Sequence, residues 1–308
     1  MTGRTQNWKE NRQRIESLIS SAKGSLNPFS LEWDFVETFK RPIILMSKLT
    51  GIYGKGFRNS LDIRVKKIDW EFNELPKNFH NFKILHISDL HLDERPDLVD
   101  KICSLIEGQN FDIAVLTGDF YCTANSKEQD QLKEISERIK QITSCYSTTN
   151  GNFAILGNHD GLAIIEHLEN IGLNLLINQK VDLEISGQKL RIIGVDDPHL
   201  FYNQEIKQTL MEGQEHFSIA LVHSPEAFDY AEAGGCNFYL CGHTHGGQIC
   251  LPGGRPVLTH LKRGKKFSSG SWSYKSMKGH TSKGVGTTDV PLRFFCPPEL
   301  VIHTLKSI

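Results

Sequence analysis

The sequence predicts an α/β fold with a largely buried sheet, preceded by a basic, amphipathic extension. Three observations carry that reading. Short apolar runs recur after Asn81, they end in clusters of Gly, Asx or His, and helical patterns lie between several of them. Strands that alternate with helices build a sheet covered by those helices.

Residues 1–25 are polar and charged, and read as a polar helix or a disordered arm. Across residues 31–53 the apolar positions Phe35, Phe39, Ile43, Met46 and Leu49 fall at helical spacing, and Pro42 predicts a break or a new helix start. Residues 35–67 hold eight Lys and Arg against only Glu37 and Asp62. A basic amphipathic segment over residues 31–67 can lie peripherally on a membrane, or pack on its own domain with a solvated polar face. Residues 1–80 are read as the extension and residues 81–308 as the main domain.

Within that domain, strands are expected at residues 82–87, 111–116, 153–156, 218–222 and 238–240, and helices at 97–107, 127–142 and 162–171. Polar residues that directly follow a strand sit at its carboxyl end, where open sheets place their ligands. Residues 255–286, rich in Gly, Ser and Lys, read as long loops.

Composition bounds the rest. The chain has 308 residues, 39% hydrophobic and 23% charged, which is ordinary for a globular protein. Residues 1–80 carry 14 Lys and Arg against 9 Asp and Glu, a balance of +5, which leaves −6 for the remainder of a chain whose net charge is −1. Without a basic stripe on the main domain, nucleic acid is not an expected partner. Seven cysteines, an odd count with no Cys-x-x-Cys pair, argue against a disulfide framework and fit a reducing compartment. The longest apolar stretch before residue 80, Ile43-Ile44-Leu45-Met46, is far short of the roughly 20 residues that span a bilayer. The expectation is a cytosolic protein that can sit on the inner face of a membrane.

The strand ends carry Asp89-Leu90-His91, Asp119, Asn158-His159-Asp160, His223 and His243-Thr244-His245. Residues two apart on extended backbone point the same way, so Asp89 with His91, and His243 with His245, can each present two ligands to one space. The set holds carboxylate, imidazole and amide oxygen without thiolate, which suits Mn²⁺, Fe or Zn²⁺. It exceeds what one ion needs, and two divalent ions about 3.5–4 Å apart and bridged by a carboxylate use it fully. Singly, each piece has a plainer reading: Asp-x-His as a turn, His223 as a hydrogen-bonded core histidine, Gly-Asn-His-Asp as a tight turn.

The ordered series Asp89-x-His91, Gly118-Asp119, Gly157-Asn158-His159-Asp160, His223 and Gly242-His243-Thr244-His245 resembles the calcineurin-like metallophosphoesterases. The resemblance implies two mixed sheets packed face to face with helices outside. It implies a first ion on Asp89, His91, Asp119 and His245, and a second on Asp119, Asn158, His223 and His243, with Asp119 as the bridge. Such a centre lowers the pKa of water from about 15.7 towards about 7 and neutralises phosphoryl oxygens. His159 is the candidate proton donor to the leaving group, with Asp160 orienting its ring; the plainer role for His159 is support of its neighbour Asn158.

Asp119 is followed by Phe120-Tyr121-Cys122 and Asn158-His159 by Asp160, unlike the protein Ser/Thr phosphatases, so protein dephosphorylation is not expected. The wider context, with Gly246-Gly247-Gln248, Leu251-Pro252-Gly253 and the C-terminal segment from Pro291 to Glu299, is similar to a bacterial branch of membrane-associated phosphodiesterases and UDP-2,3-diacylglucosamine hydrolases. Members of that branch often begin with a twin-arginine signal or a membrane segment, neither of which is visible here. The implied substrate is a small-molecule or lipid-linked phosphodiester or pyrophosphate. Cyclic nucleotides are the alternative, and a non-catalytic scaffold is disfavoured because no ligand is missing. Lys262 and Arg263 can meet substrate anions or form a solvated loop. Arg293 can clamp a phosphate bidentately or tie down the C-terminus.

Overall fold

A computed structural model describes residues 5–22, 30–122 and 129–308, with the side chains of residues 20–39 left aside. Two six-stranded sheets form its centre. The first contains β1 (Arg64–Phe72), β2 (Phe82–Ile87), β3 (Ile113–Leu116), β4 (Asn152–Ala154) and β5 (Asn174–Leu175). The second contains β6 (Gln179–Ile185), β7 (Gln188–Gly194), β8 (Phe217–Leu221), β9 (Phe238–Cys241), β10 (Gly270–Tyr274) and β11 (Met277–Thr281), and the chain ends in β12 (Glu299–Ser307), which returns to the first sheet. The strand orders are β1-β12-β2-β3-β4-β5 and β10-β11-β9-β8-β7-β6. Both sheets are mixed: β2 to β5 run parallel, β12 lies antiparallel to β2, and β6 and β10 are antiparallel edges on a parallel centre.

Period-two alternation decides which residue faces which layer. In β2, Leu85 and Ile87 face an outer core with Leu98, Ile102, Ile135, Ile139 and Leu168 from α4 (Leu98–Ile106), α5 (Gln129–Thr143) and α6 (Ile164–Asn170). Ile84 faces the opposite way, into the layer between the sheets, with Val115, Phe153, Ile192, Ile219 and Phe238. A third core covers the far face of the second sheet: Ile193, Ala220 and Tyr239 pack on Ile206 and Leu210 of α7 (Gln204–Met211) and Ala231 of α8 (Phe228–Ala233). Each fully buried Leu, Ile or Phe contributes about 1.5–3 kcal/mol. The result is helix, sheet, sheet, helix, the architecture implied by the resemblance.

Several expectations need correction. The boundary at residue 80 does not follow the sheet, because β1 pairs in parallel with β12 over nine residues, from Arg64–Glu299 to Phe72–Ser307. Helix α1 spans Gln6–Ala22, the polar-helix alternative, and α2 (Ser30–Leu49) runs through Pro42 without ending there. A proline ring removes one backbone hydrogen bond and bends a helix, but it need not terminate one. The expected helix start at Lys127, and the side chains of Phe35 and Phe39, lie outside the described residues. The loop-like segment 255–286 holds the β10–β11 hairpin, whose polar face is half-exposed. Cys103 and Cys145 are joined in a disulfide between α4 and the turn after α5, and the other five cysteines are free. One bond is not a disulfide framework, but the pairing of Cys103 with Cys145, 42 residues apart, was not anticipated from the odd count. No described helix is long and apolar enough to cross a membrane.

Candidate metal centre

The parallel strands β2, β3, β4, β8 and β9 all point their carboxyl ends at one edge of the two-sheet sandwich, and the polar clusters that follow them meet there. The chain turns sharply to achieve this. Asp89, His91, Asp119, His243 and His245 have φ of 54°, 43°, 58°, 73° and 49°. Non-glycine residues hold such left-handed backbone at a cost of about 1–3 kcal/mol each, and sites that do so cluster where function demands it. Neighbouring strands impose the shape: Asp89 N donates to Gly118 O at 3.0 Å, and His91 N to Asp119 O at 3.1 Å. Two glycines are required by close approach. A Cβ at Gly157 would strike the Asp119 carboxylate, and one at Gly242 would strike Ser88 Oγ and the Asp89 carboxylate.

All seven expected ligands converge. Asp89, His91 and His245 form one group, and Asp89, Asp119 and His223 another, each with its donor atoms within 4.8 Å of one another. His91 Nε2 faces His245 Nε2 at 3.1 Å. Asn158 Oδ1 lies 2.9 Å from His223 Nε2 and 2.7 Å from His243 Nδ1. Asp119 Oδ2 stands between the groups, 3.2 Å from His223 Nε2 and 3.7 Å from His91 Nε2. Asp89 is shared by both groups, whereas the resemblance placed it on the first ion alone.

The donor set fits a cation on chemical grounds. His223 Nδ1 lies 2.7 Å from Thr117 O, a group that only accepts, so Nδ1 carries hydrogen and the neutral ring turns its Nε2 lone pair inwards. That lone pair meets the oxygens of Asn158 and Asp119, which are acceptors as well. Converging acceptors need a positive charge between them. In the bare protein a proton serves: although burial opposes it, Asp119 and Asp89 push His223 well above the ordinary histidine range. Burial likewise works against Asp119, but His223, His159 and His91 hold it well below the ordinary carboxylate range. Burial pushes His91 down to about 4, and His243 and His245 well below normal, so these rings are neutral with lone pairs free to coordinate. Among the described residues, buried His243 Nε2 has no hydrogen-bond partner, and its ring is tied through Nδ1.

His159 is half-buried between buried Asn158 and Asp160. Its backbone N–H donates to Asp119 Oδ1 at 2.9 Å and its Nδ1–H to Cys122 O at 2.6 Å, which turns Nε2 away from both. Burial opposes its charge, but Asp119, Asp289 and the Cys122 carbonyl outweigh that and raise its pKa. Asp160, expected to orient that ring, also has a structural role. Its carboxylate accepts from the backbone N–H groups of Asp119, Phe120 and Gly157 at 2.8, 2.9 and 2.7 Å, stapling two ligand loops together.

Arg293, expected either to clamp a phosphate or to tie down the C-terminus, has the hydrogen-bond partners of a tie. It is fully buried, and it donates to the carbonyls of Lys283 at 2.8 Å, Gly286 at 2.6 Å, and His245 and Cys296 at 3.3 Å. A guanidinium so engaged has no fork left for a substrate. Lys262 and Arg263 are exposed; their backbone N–H groups donate to Glu226 Oε1 at 2.7 and 3.2 Å, and Arg263 pairs with Asp229 at 2.5 Å.

Three further groups touch the centre without having been expected. Cys122 Sγ lies 3.1 Å from His91 Nδ1. His199, held by Glu226 at 2.7 Å, packs its ring 4.4 Å from that of His243. Arg12 of α1 reaches the back of the Asn158 loop through the carbonyls of Gly157 and Asp160. One signal was available, since residues 192–195 are an apolar run that ends in Asp196-Asp197, like the other ligand-bearing strand ends.

The model of the calcineurin-like phosphoesterase family matches residues 82–247, from the first strand of the site to its last histidine motif. The chain belongs to that family. It is 32% identical to the metallophosphoesterase YkuE of Bacillus subtilis over 76% of this chain and 82% of that protein. It is 27% identical to the phosphodiesterase YaeI of Escherichia coli over 73% and 82% of the two chains. It is also 25% identical to the UDP-2,3-diacylglucosamine pyrophosphatase LpxG of Chlamydia muridarum, over 84% and 94%. Membership makes it a phosphoester hydrolase with a dinuclear divalent metal centre. Arg12 lies outside the matched segment, so the metal loop is braced by a residue the family model does not include.

Proposed function

We propose that this phosphoesterase hydrolyses a phosphodiester or pyrophosphate in a lipid-linked nucleotide, of the kind exemplified by UDP-2,3-diacylglucosamine. The observation that carries the reading is the ring of acceptors around Asp119 Oδ2, which calls for positive charge between its members. Asp89, His91, Asp119 and His245 would hold one ion and Asp119, Asn158, His223 and His243 the other; Mn²⁺, Fe and Zn²⁺ suit this donor set. Bound there, the ions supply water activation and charge neutralisation at phosphorus.

The chain's own residues do the rest. His159, half-buried and with Nδ1–H fixed on Cys122 O, turns Nε2 away from that carbonyl and is suited to give a proton to the leaving oxygen. Its raised pKa keeps more of it protonated at neutral pH. Asp160 holds the Asp119 and Gly157 loops at fixed separation. Lys262 and Arg263 stand beside Glu226 and His199, on the His243 side, where anionic substrate groups can meet them.

A lipid substrate is supported by exposed apolar side chains on two segments. Met46, Leu49 and Ile52 are exposed at the end of α2, as are Leu251, Val257, Leu258 and Phe295 on loops that follow His245. Lys40, Arg41, Lys48, Lys55 and Arg58 accompany the first group, so residues 31–67 are suited to a peripheral seat on an anionic bilayer. Names carried by the relatives point both ways: LpxG to a lipid-linked pyrophosphate, YaeI to phosphodiesters generally.

The test is turnover by the Mn²⁺-loaded protein of UDP-2,3-diacylglucosamine, a cyclic nucleotide and bis-p-nitrophenyl phosphate side by side. Preference for the lipid-linked substrate, lost in Asn158→Ala and His223→Ala, supports the reading. Preference for the cyclic nucleotide, or activity that survives both substitutions, overturns it.

A further inference from the structure

The layer between the sheets is mostly apolar, and its buried polar groups include the His280–Glu299 pair, 3.4 Å apart, and beside it a line that leads to the metal centre. Trp70 Nε1 lies 2.9 Å from His303 Nδ1, and His303 Nε2 lies 3.3 Å from His86 Nδ1. His86 Nε2 then lies 2.9 Å from Thr117 Oγ1, which lies 2.7 Å from Ser88 Oγ, and Ser88 is hydrogen-bonded to the Asp89 carboxylate. His86, His303, Thr117 and Ser88 are all buried. The strands β1, β12, β2 and β3, neighbours in the first sheet, supply or lead directly into every member.

The direction of every proton in this line follows from its two ends. An indole N–H can only donate, so His303 Nδ1 must accept and its hydrogen sits on Nε2. That hydrogen leaves His86 Nδ1 as an acceptor, which places the His86 hydrogen on Nε2, facing Thr117. Thr117 accepts it and gives its own hydroxyl hydrogen to Ser88, whose hydroxyl is then free to donate to Asp89. The other end is a carboxylate, which only accepts, so no reversed order exists. Burial keeps both rings neutral, as this requires: His86 is pushed down to about 3, and His303 well below the ordinary range.

We propose that Trp70, His303, His86 and Thr117 are positioning residues for the metal centre, acting as a one-way hydrogen-bond chain that locks the Ser88 hydroxyl as a donor to Asp89. Ser88, together with the His243 N–H that lies 3.0 and 3.2 Å from the two Asp89 oxygens, then fixes that carboxylate from its protein side. Thr117 serves twice, since its carbonyl also fixes the ring of His223. The proposal rests on the reading of Asp89 as a metal ligand for its consequence, though not for its proton order.

The order is read directly by ¹⁵N–¹H correlation of the imidazole nitrogens in the full-length, metal-free protein, with His86→Gln and His303→Gln used for assignment. Both rings are expected to be Nε2–H tautomers with bare Nδ1; an Nδ1–H tautomer at either one overturns the chain. Its consequence is read as the Mn²⁺ concentration that half-saturates binding. Thr117→Val is expected to raise it about 10-fold, as loss of outer support of a ligand does, and Thr117→Ser to restore it. Trp70→Phe should act in the same direction. The double variant Trp70→Phe/Thr117→Val should be no worse than the weaker-binding single one, because both break one chain. Multiplied effects, or a Thr117→Ser as weak as Thr117→Val, overturn the relay. Wild-type protein that binds no Mn²⁺ while showing the expected tautomers would instead refute the metal reading and leave the proton order standing.

Discussion

The guanidinium of Arg12 is sealed against the carboxylate of Asp196, 184 residues away in sequence, with both side chains fully buried. Trp8 Nε1 donates to the other Asp196 oxygen at 2.6 Å, and the Arg12 group lies 3.8 Å from the Phe201 ring centroid. The same guanidinium donates to the carbonyls of Gly157 and Asp160, on either side of Asn158 and His159. The N-terminal helix is thereby pinned to the back of the ligand loop. Removing one partner of a buried pair leaves the other charge unpaired, a loss of about 3–5 kcal/mol. Arg12→Ala is expected to lose that much stability in urea denaturation and to weaken metal binding. A loss under about 1 kcal/mol would mean that α1 does not brace the centre.

His159→Gln removes the proton carrier without removing a ligand. The kcat for a substrate with a poor leaving group is expected to fall about 100- to 10,000-fold. An activated ester such as bis-p-nitrophenyl phosphate, whose leaving group needs no proton, should suffer far less. Metal content should stay unchanged. Equal losses on both substrates would assign His159 to support of Asn158 instead.

Much of this site was legible in the chain. Asp89 with His91, and His243 with His245, stand two apart at the end of apolar runs, and that spacing marked them as candidate ligands, although left-handed turns and not extended backbone aim their side chains. The runs also marked β2, β3, β4, β8 and β9, because buried parallel strands are apolar on both faces. What escaped notice has physical reasons. Arg12 sits in a helix of mixed polar pattern, and nothing local says that its partner is Asp196. His86 interrupts an apolar run on the face shared with Ile84, and His303 does the same in β12, so their meeting depends on strand order and not on sequence proximity. The β10–β11 hairpin was masked by Gly, Ser and Lys on a half-exposed edge. For Arg293 a clamp and a tie stood equal in the sequence, because its carbonyl partners come from loops that only the fold brings together.

Acid should unfold this protein early, and His86 shows why. Burial, with His280 adding to it, lowers its pKa in the folded state to about 3. The unfolded residue titrates near about 6.5, so below that pH the unfolded chain binds a proton that the folded one refuses. Stability is therefore full above about pH 6.5 and falls as pH drops towards 3, by up to about 1.4 kcal/mol per unit for this group. Urea denaturation of His86→Gln between about pH 6 and 4.5 should show a slope shallower by roughly one proton. A slope equal to that of the wild type would contradict the neutral, buried histidine.

Arg293→Met tests the tie against the clamp. With its donors gone, the carbonyls of Lys283, Gly284 and Gly286 lose their partner, and the loop that carries Gly284 and Gly286 against Asp89 loosens. Each buried carbonyl left unpaired costs about 1–3 kcal/mol. A clear fall in melting temperature is expected, with KM for soluble esters changed by less than about threefold. A large rise in KM at unchanged stability would restore the phosphate-clamp role.

The most direct measurement is the metal content of the full-length chain after reconstitution with Mn²⁺ and removal of free ion. Two ions per chain are expected for the wild type, and one for His223→Ala, whose Nε2 faces Asn158 and Asp119. A single ion in the wild type, or two retained after loss of His223, would contradict a cation pair centred on Asp119.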